Sequence, residues 1–421
     1  MLKDRYDNPV TTTSATIRDG YVAALDLMLA GQPGVLEAFE AVTQADPDFA
    51  LGWSGLARAR QYAGDMPGAA GAIAQAKAAA RSVTAREASQ IHAFDLMFSG
   101  QAEAAYLAIR THAEKYPTDA IVAQTCSSVF GLIGFSGKPG REAEMLAFNA
   151  GLLPHYGDDW WMISQYAFAL CETGNLAEAD RQIDIALTMN PANAHGAHVR
   201  SHVSYEMGDA VGGRHYLRGW LEGYDRGGIL FTHLNWHAAL WALEQGEIDH
   251  MWEQVDAAVS PAAATGGPAI NVLTDTASIL HRATLAGVPV TQERWQNVSA
   301  FAKVAFPQTG NAFIDVHAAL AHAMAGDEAA LSAIIDAPTG PAADLVPALA
   351  SGFHAMAAGD WSRVARSMTG AMSDLARIGG SRAQRDMVEQ TLLTALVKQG
   401  KEQQARDIAA LRRPVLSELV A

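Results

Sequence analysis

Hydrophobic and small residues recur along the chain with the three- and four-residue spacing of amphipathic helices. The clearest stretch covers residues 161–191, where WMISQYAFALCETG is followed by NLAEADRQIDIALTMNP. In each half the apolar positions lie about one helical turn apart, and Gly174 separates the halves. No run of useful length alternates apolar and polar residues as a half-buried strand would. The pattern therefore predicts pairs of helices, joined as hairpins, in an all-α chain.

Glycine marks the predicted hairpin turns at nearly regular intervals. A glycine can take the left-handed backbone conformation that ends one helix and allows the next to begin. Eleven glycines are spaced by 33 to 41 residues: Gly31, Gly64, Gly100, Gly137, Gly174, Gly208, Gly246, Gly287, Gly326, Gly359 and Gly400. Prolines follow four of them after 16 or 17 residues, where the second helix should stop: Pro47, Pro117, Pro154 and Pro191.

Small residues occur at fixed distances from the turn glycines, as closely packed helices require. Around Gly174 the small positions are filled by Ala167, Ala179 and Ala186. The two units around Gly64 and Gly100 repeat the arrangement with Ala57, Ala69, Ala76, Ala93 and Ala105. These regularities match the tetratricopeptide repeat, a helical hairpin of roughly 34 residues. We therefore predict about eleven tetratricopeptide-like hairpins that form a superhelical solenoid.

The length and composition are consistent with one continuous array over residues 1–421. Hydrophobic residues make up 49% of the chain, and a repeat array buries them between neighbouring hairpins, so it needs no division into separate cores. Two stretches rich in proline and glycine, 258–270 and 335–347, predict a break or an irregular loop.

Charge and the N-terminal sequence restrict location and partners. Charged residues and Pro9 occupy the place where a signal peptide needs an apolar core, and no segment reaches the roughly 20 apolar residues of a membrane span. Two cysteines, Cys126 and Cys171, provide no disulfide framework. A net charge of −15 without a basic stripe argues against a nucleic-acid partner. We expect a cytoplasmic protein without membrane or nucleic-acid partners, and homo-oligomerisation stays open.

Histidines are concentrated in one part of the chain. Six of the 14 fall within residues 195–237, about a tenth of the length: His195, His198, His202, His215, His233 and His237. Two pairs, His198 with His202 and His233 with His237, have the i,i+4 spacing that places both rings on one helix face. We interpret the pairs as a candidate site, the alternative being histidines of the core or of a solvated groove wall.

The repeat register indicates which face carries these histidines. The unit after Pro191 has its turn at Gly208, so its first helix presents five polar side chains at positions that line the concave groove of tetratricopeptide arrays: His195, His198, His202, Tyr205 and Glu206. Tryptophans are also concentrated nearby, and Trp161 and Trp236 are candidates for the pocket rim. We therefore predict a concave pocket rich in histidine and tryptophan.

Metal binding is the more specific hypothesis for this pocket. Two HxxxH pairs can offer neutral nitrogens to zinc or manganese from His198, His202, His233 and His237. A metal-free site, in which histidines act as general acids and bases or bind anions, is the open alternative.

Further candidates lie in later units. Asp275, Asp315 and His317 belong to predicted first helices and could face the same groove. Near the C-terminus, Ser381 and Gln384 resemble a capping box, and the alternative there is an anion site with Arg385. The chain lacks the GxSxG, GxxxxGK[ST] and GxGxxG motifs of common hydrolases and nucleotide-binding proteins.

Five segments occur in this order from about residue 160 onward: YAFALCETGNLAEAD, HVRSHVSYEMGD, HLNWHAALWALEQGE, FIDVHAALA and GGSRAQRD. Together they resemble the tetratricopeptide repeat protein 38 family. The resemblance implies a repeat fold and a set of shared positions: His198, His202, His233, Trp236, His237, Asp315, His317, Ser381, Gln384, Arg385 and Asp386. Glu206 departs from the family pattern by one position relative to the turn glycine. The resemblance implies no reaction.

We predict that the chain binds a small molecule or a short peptide in the concave pocket. The alternative is a histidine-dependent, metal-assisted hydrolase or lyase acting on a small polar metabolite, for which the catalytic candidates are His198, His202, His237, Asp315 and His317. The sequence alone does not decide whether the chain is an enzyme.

Overall fold

Helices provide nearly all the regular structure of the protein. The structure is a computed structural model, and it describes residues 1–412. The α-helices are α1 (Ala15–Ala30), α2 (Val35–Ala45), α3 (Ala50–Tyr62), α4 (Met66–Ala79), α5 (Ala85–Phe98), α6 (Ala102–Lys115), α7 (Ala120–Ala123), α8 (Arg141–Tyr156), α9 (Trp160–Glu172), α10 (Leu176–Met189), α11 (Ala194–Glu206), α12 (Ala210–Leu221), α13 (Phe231–Glu244), α14 (Ile248–Gln254), α15 (Ala269–Leu285), α16 (Gln292–Ala305), α17 (Ala312–Ala325), α18 (Glu328–Asp336), α19 (Val346–Ala357), α20 (Trp361–Thr369), α21 (Arg382–Val397) and α22 (Glu402–Arg412).

Strand is confined, within residues 1–412, to one antiparallel pair of two-residue strands, β1 (Leu2–Lys3) and β2 (Pro9–Val10). The predicted all-α class is confirmed. Among the helices described, none combines the length and the apolar character needed to cross a membrane. The end of the predicted array, 413–421, lies outside the described residues.

The glycine ladder is confirmed by the backbone. All eleven predicted turn glycines have positive φ angles, from 66° at Gly31 to 83° at Gly174. After α17, for example, the Asp327 amide donates to the His322 carbonyl at 2.9 Å and the Gly326 amide donates to the Ala323 carbonyl at 3.2 Å. These bonds satisfy carbonyls at the helix end, and only glycine takes this conformation without a steric cost.

The fourth hairpin departs from the pattern. Its first helix, α7, ends after four residues, and an irregular segment follows up to α8. Residues 131–140 contain four glycines, which have poor helix propensity. The Leu132 amide turns back to the Thr125 carbonyl at 2.8 Å, so the backbone polar groups are satisfied by a local turn instead of a helix.

Alanines at the predicted positions allow paired helices to pack closely. Ala167 on α9 and Ala179 and Ala186 on α10 are all fully buried. Ala57 on α3 and Ala69 on α4 are buried in the same way. Because alanine presents only a methyl group, each pair of helices can approach without leaving a void.

The chain divides into two compact units, each built from separate stretches of sequence. Unit 1 contains residues 1–133, 143–199 and 224–230, and unit 2 contains 134–142, 200–223 and the chain from 231 onward. In unit 1 the buried Tyr21 ring packs edge-on against Phe39 and Phe49, with centroids 6.0 and 5.5 Å away. A single continuous array remains a prediction.

Unit 2 has a core formed by residues of α15 to α22, with Phe353 and Trp295 among its largest members. Irregular helical turns interrupt this unit between α14 and α21, and one of them is a 3₁₀ segment at Met372–Ile378 before α21. A π-helical turn at Val255–Val259 and a 3₁₀ turn at Pro261–Ala263 precede α15, and a 3₁₀ turn at Ala343–Leu345 precedes α19.

Candidate functional site

Three buried histidines of unit 2 lie together on two helices. His202 is on α11, while His233 and His237 are one turn apart on the same face of α13. The α13 sequence FTHLNWHAALWALE has no glycine or proline and ends just before Gly246, so it forms a regular helix. One ring nitrogen from each histidine lies within 4.8 Å of the others. We call these three residues the histidine cluster.

The rings of the histidine cluster are packed closely. The His237 centroid is 4.7 Å from His202 and 4.9 Å from His233, with nearly perpendicular ring planes in both pairs. None of the three residues is more than 3% exposed. Burial lowers the pKa of His237 well below its ordinary value, and the neighbouring His202, His233 and Arg282 lower it further. His237 is therefore neutral at pH 7, which is the protonation state that metal binding requires.

Asp275 on α15 fixes the orientation of His233. Its Oδ2 lies 2.8 Å from His233 Nδ1, and the Asn271 amide donates to the same oxygen at 3.5 Å. A carboxylate only accepts, so His233 Nδ1 donates to Asp275, and Nε2 is the ring nitrogen through which His233 would bind a metal. The structure places Asp275 behind a histidine, where the sequence predicted a ligand-binding residue.

Trp236 forms a wall of the histidine cluster. Its ring stacks on His233 with centroids 5.0 Å apart and planes 16° apart, and it contacts His237 edge-on at 4.7 Å. Trp236 is fully buried, and its indole N–H has no hydrogen-bond partner among the described residues. Trp161, the other predicted aromatic, is fully buried in unit 1 against Tyr156, with centroids 5.6 Å apart.

The remaining groove candidates of α11 have different surroundings. His198 lies one turn before His202 on this helix, and its ring packs edge-on against Phe168 in unit 1 at 5.4 Å. His195 is buried beside the Gly31 turn, its Cδ2 3.2 Å from where a Cβ on Gly31 would lie, and burial lowers its pKa to about 4. In unit 2, Glu206 pairs with Arg382 at 3.7 Å.

Sequence reasoning missed Arg282, which joins several of the predicted residues of unit 2. Its Nη1 donates to the Tyr205 hydroxyl at 3.0 Å, and that hydroxyl donates to Asp386 Oδ2 at 2.8 Å. The guanidinium carbon lies 5.9 Å from both the Tyr205 and Trp236 ring centroids. The spacing in the sequence could have indicated Arg282, because Asp275 and Arg282 are seven residues apart and so share a face of α15.

Asp315 and His317 lie on α17 within unit 2. His317 Nδ1 donates to the Phe313 carbonyl at 2.7 Å, and burial lowers the pKa of His317 to about 4. Asp315 accepts from the Gly310 amide at 3.1 Å, and burial raises its pKa to about 6. His317 Nε2 has no partner in the described part of the chain.

The glycine-rich start of α21 is a capped helix end. The Ser381 hydroxyl accepts from the Gln384 amide at 3.2 Å, and Gln384 Oε1 accepts from the Ser381 amide at 3.1 Å, which confirms the capping box. Arg385 donates to the Gly380 carbonyl at 2.5 Å and pairs with Glu142. These bonds give Arg385 a structural role at this turn.

No family model matches this chain. Among solved structures, it is similar to yeast Tom70 (12% identity, 95% of this chain and 87% of that one, TM-score 0.37) and to the tetratricopeptide domain of P58(IPK) (14%, 92% and 99%, TM-score 0.22). A third is Naa15/Naa10 bound to HypK-THB (11%, 94% and 68%, TM-score 0.25). Similarity of this degree establishes nothing about function. The tetratricopeptide-like fold rests on the chain's own helical hairpins.

Proposed function

We propose that the chain binds a divalent transition-metal ion at the histidine cluster and, through that ion, a small polar molecule. The observation that supports the proposal is the approach of three ring nitrogens to within 4.8 Å of one another. Zinc binds imidazole at about 2.0–2.1 Å, which places two nitrogens of one tetrahedral site roughly 3.4 Å apart. Small side-chain rotations would bring the three rings to that separation.

The ligand types favour zinc over manganese. Imidazole nitrogen suits zinc, copper and nickel, whereas manganese prefers carboxylate and water oxygens. The Asp275–His233 hydrogen bond is the kind of support that orients a metal-bound imidazole and makes it more basic.

Burial of the histidine cluster favours a small molecule over a peptide. The three histidines are at most 3% exposed, whereas a peptide groove must present its binding side chains along an open surface. A buried pocket surrounds most of a small ligand's surface and discriminates by a few polar groups.

A metal-assisted hydrolase or lyase is the second candidate function. Three protein ligands on zinc leave a position for water or substrate, as in many catalytic zinc sites, whereas a fourth histidine would close the site. The resemblance to the tetratricopeptide repeat protein 38 family does not decide between these two functions. Membership of that family also remains a proposal. The cytoplasmic location also stays a prediction.

Metal content tests the proposal directly. The chain is purified without a histidine tag, loaded with zinc, dialysed and analysed by inductively coupled plasma mass spectrometry. We expect about one zinc per chain, and less than about a tenth of that in the double variant His202→Ala/His237→Ala, because that variant keeps only one ligand of the cluster.

The matched control is His215→Ala/His250→Ala, which removes two histidines of unit 2 that lie outside the cluster, on α12 and α14. It should keep the full zinc content. Equal zinc loss in both double variants, or no zinc retained by the unmodified chain, would refute the metal site.

A further inference from the structure

Arg282 is a buried cation whose hydrogen bonds all go to neutral groups. It is 8% exposed and lies on α15, one residue after His281. Its Nη2 donates to the Ala383 carbonyl at 2.5 Å, its Nη1 to the Tyr205 hydroxyl at 3.0 Å and its Nε to the Ser278 hydroxyl at 3.3 Å. These are neutral oxygens, so the positive charge is solvated but not neutralised by them.

No carboxylate among the described residues lies within ion-pair distance of the Arg282 guanidinium. Asp386 reaches it only through the Tyr205 hydroxyl. Two other buried arginines do have carboxylate partners, since Arg86 lies 2.5 Å from Asp119 and Arg385 pairs with Glu142, whereas buried Arg58 bonds to neutral oxygens as Arg282 does. A buried charge without a direct counterion is costly, which indicates that an anion joins Arg282 in the functional state.

Glu244 is a carboxylate whose pKa burial raises and Arg282 lowers in part, but it makes no ion pair with the guanidinium, and the histidine rings near Arg282 carry no negative charge. Burial lowers the pKa of His281 to about 3 and that of His317 to about 4, and Arg282 contributes to lowering both. The pKa of His237 in the histidine cluster is lowered in part by the same guanidinium. Arg282 is thus close enough to act on the cluster, and these rings are neutral at pH 7.

The donor count indicates the kind of anion. A guanidinium has five N–H groups in a planar fork, and three hydrogen bonds account for three of them. Two remain, one on each terminal nitrogen, which matches the two oxygens and the single charge of a carboxylate. A phosphate dianion would need further donors and a second positive charge.

We propose that Arg282 binds the carboxylate of a small monocarboxylate next to the histidine cluster. This deepens the proposed function by naming the ligand class, but the charge and donor arguments hold with or without a metal. The other groups around the fork, Trp236 and Tyr205, are aromatic and suit the hydrocarbon part of such a ligand.

Acetate and acetamide form a matched pair of probes, because they have nearly the same shape and differ in charge. Each is titrated into the full chain by isothermal titration calorimetry at constant ionic strength, in zinc-loaded and chelator-treated protein. We expect acetate to bind both forms at least about tenfold more tightly than acetamide. Failure of the metal site alone would leave binding to the chelator-treated form intact, so the two proposals are tested separately.

Arg282→Gln should lose at least about tenfold in acetate affinity, and Arg282→Lys should lose part of it because lysine keeps the charge without the fork. The lysine variant and the acetamide comparison keep the test decisive if the glutamine variant does not fold. The matched control is Arg58→Gln, which removes a buried arginine of unit 1 that also bonds to neutral oxygens. Equal binding of acetate and acetamide, an unchanged affinity in Arg282→Lys, tighter binding of phosphate, or equal losses in the Arg58 variant would each overturn the proposal.

Discussion

Replacing Asp275 by asparagine tests whether the carboxylate supports a metal-binding imidazole. The Asp275 oxygen lies 2.8 Å from His233 Nδ1 and accepts a hydrogen bond from it. Asparagine has nearly the same shape, but it lacks the charge and can turn its amide N–H₂ toward the ring. The tautomer that metal binding through Nε2 requires would then lose its support.

The expected loss follows from the role of this hydrogen bond. Removing such a carboxylate typically lowers metal affinity about 10–100-fold, which corresponds to about 1.4–2.7 kcal/mol of binding free energy. His202 and His237 lie on α11 and α13, so the substitution leaves these two side chains themselves unchanged. We therefore expect Asp275→Asn to weaken zinc binding without abolishing it.

The assay is a competition titration of zinc between the protein and a chromophoric chelator at pH 7.5, with far-UV circular dichroism to check folding. Asp315→Asn is the matched control, because Asp315 is an equally buried carboxylate of unit 2 whose partner in the structure is a backbone amide. A folded Asp275→Asn protein with unchanged zinc affinity would show that the Asp275–His233 pair is only a structural contact.

Three further predictions concern stability. Buried His195, His281 and His317 have pKa values lowered to about 4, 3 and 4, so the unfolded chain takes up more protons than the folded one below pH 6.5. Their contribution to the unfolding free energy should fall by about 8 kcal/mol between pH 6.5 and 4 in urea titrations, and a flat profile would contradict neutral buried rings. Asp315 changes the stability with pH in the opposite direction, because its pKa of about 6 lies above the unfolded value and its burial costs stability as the pH rises from 4 to 6. Asp315→Asn should therefore raise the melting temperature at pH 7.5 more than at pH 4, and an equal change at both pH values would rule this out. Gly380→Ala should destabilise the protein by about 2–5 kcal/mol, because φ is 69° and an added Cβ would lie 2.3 Å from the Phe313 ring. Gly359→Ala, with φ 72° and open space around it, should cost only about 1–2 kcal/mol. Similar losses of stability in chemical denaturation would show that the clash at Gly380 is relieved.

The repeat fold was predictable because its signals are local. Each turn glycine needs a positive φ angle whatever surrounds it, and all eleven have one. The pairing of His233 with His237 follows from helical periodicity alone. The short α7 was not predicted, because the count of turn glycines gives no information on whether the residues before Gly137 favour a helix.

The site was predictable only in part, because it depends on contacts between distant residues. His195 and His202 both belong to α11, yet His195 lies at the helix start beside the Gly31 turn, a neighbour that its own repeat does not encode. Arg282 gained its role from Tyr205, 77 residues earlier, and Ala383, 101 residues later. Periodicity within a repeat cannot reveal such partners.

The hydrogen bond between Tyr205 and Asp386 spans 181 residues, whereas a repeat array is held mainly by contacts between adjacent repeats. During synthesis on the ribosome, all three histidines of the cluster leave the exit tunnel well before α21 is made. Asp386 and the Ala383 carbonyl can reach Tyr205 and Arg282 only after α21 has been made. A nascent or C-terminally clipped chain would therefore contain all three histidines of the cluster but lack two of the groups around Arg282, so the proposed metal site would form before the proposed carboxylate site.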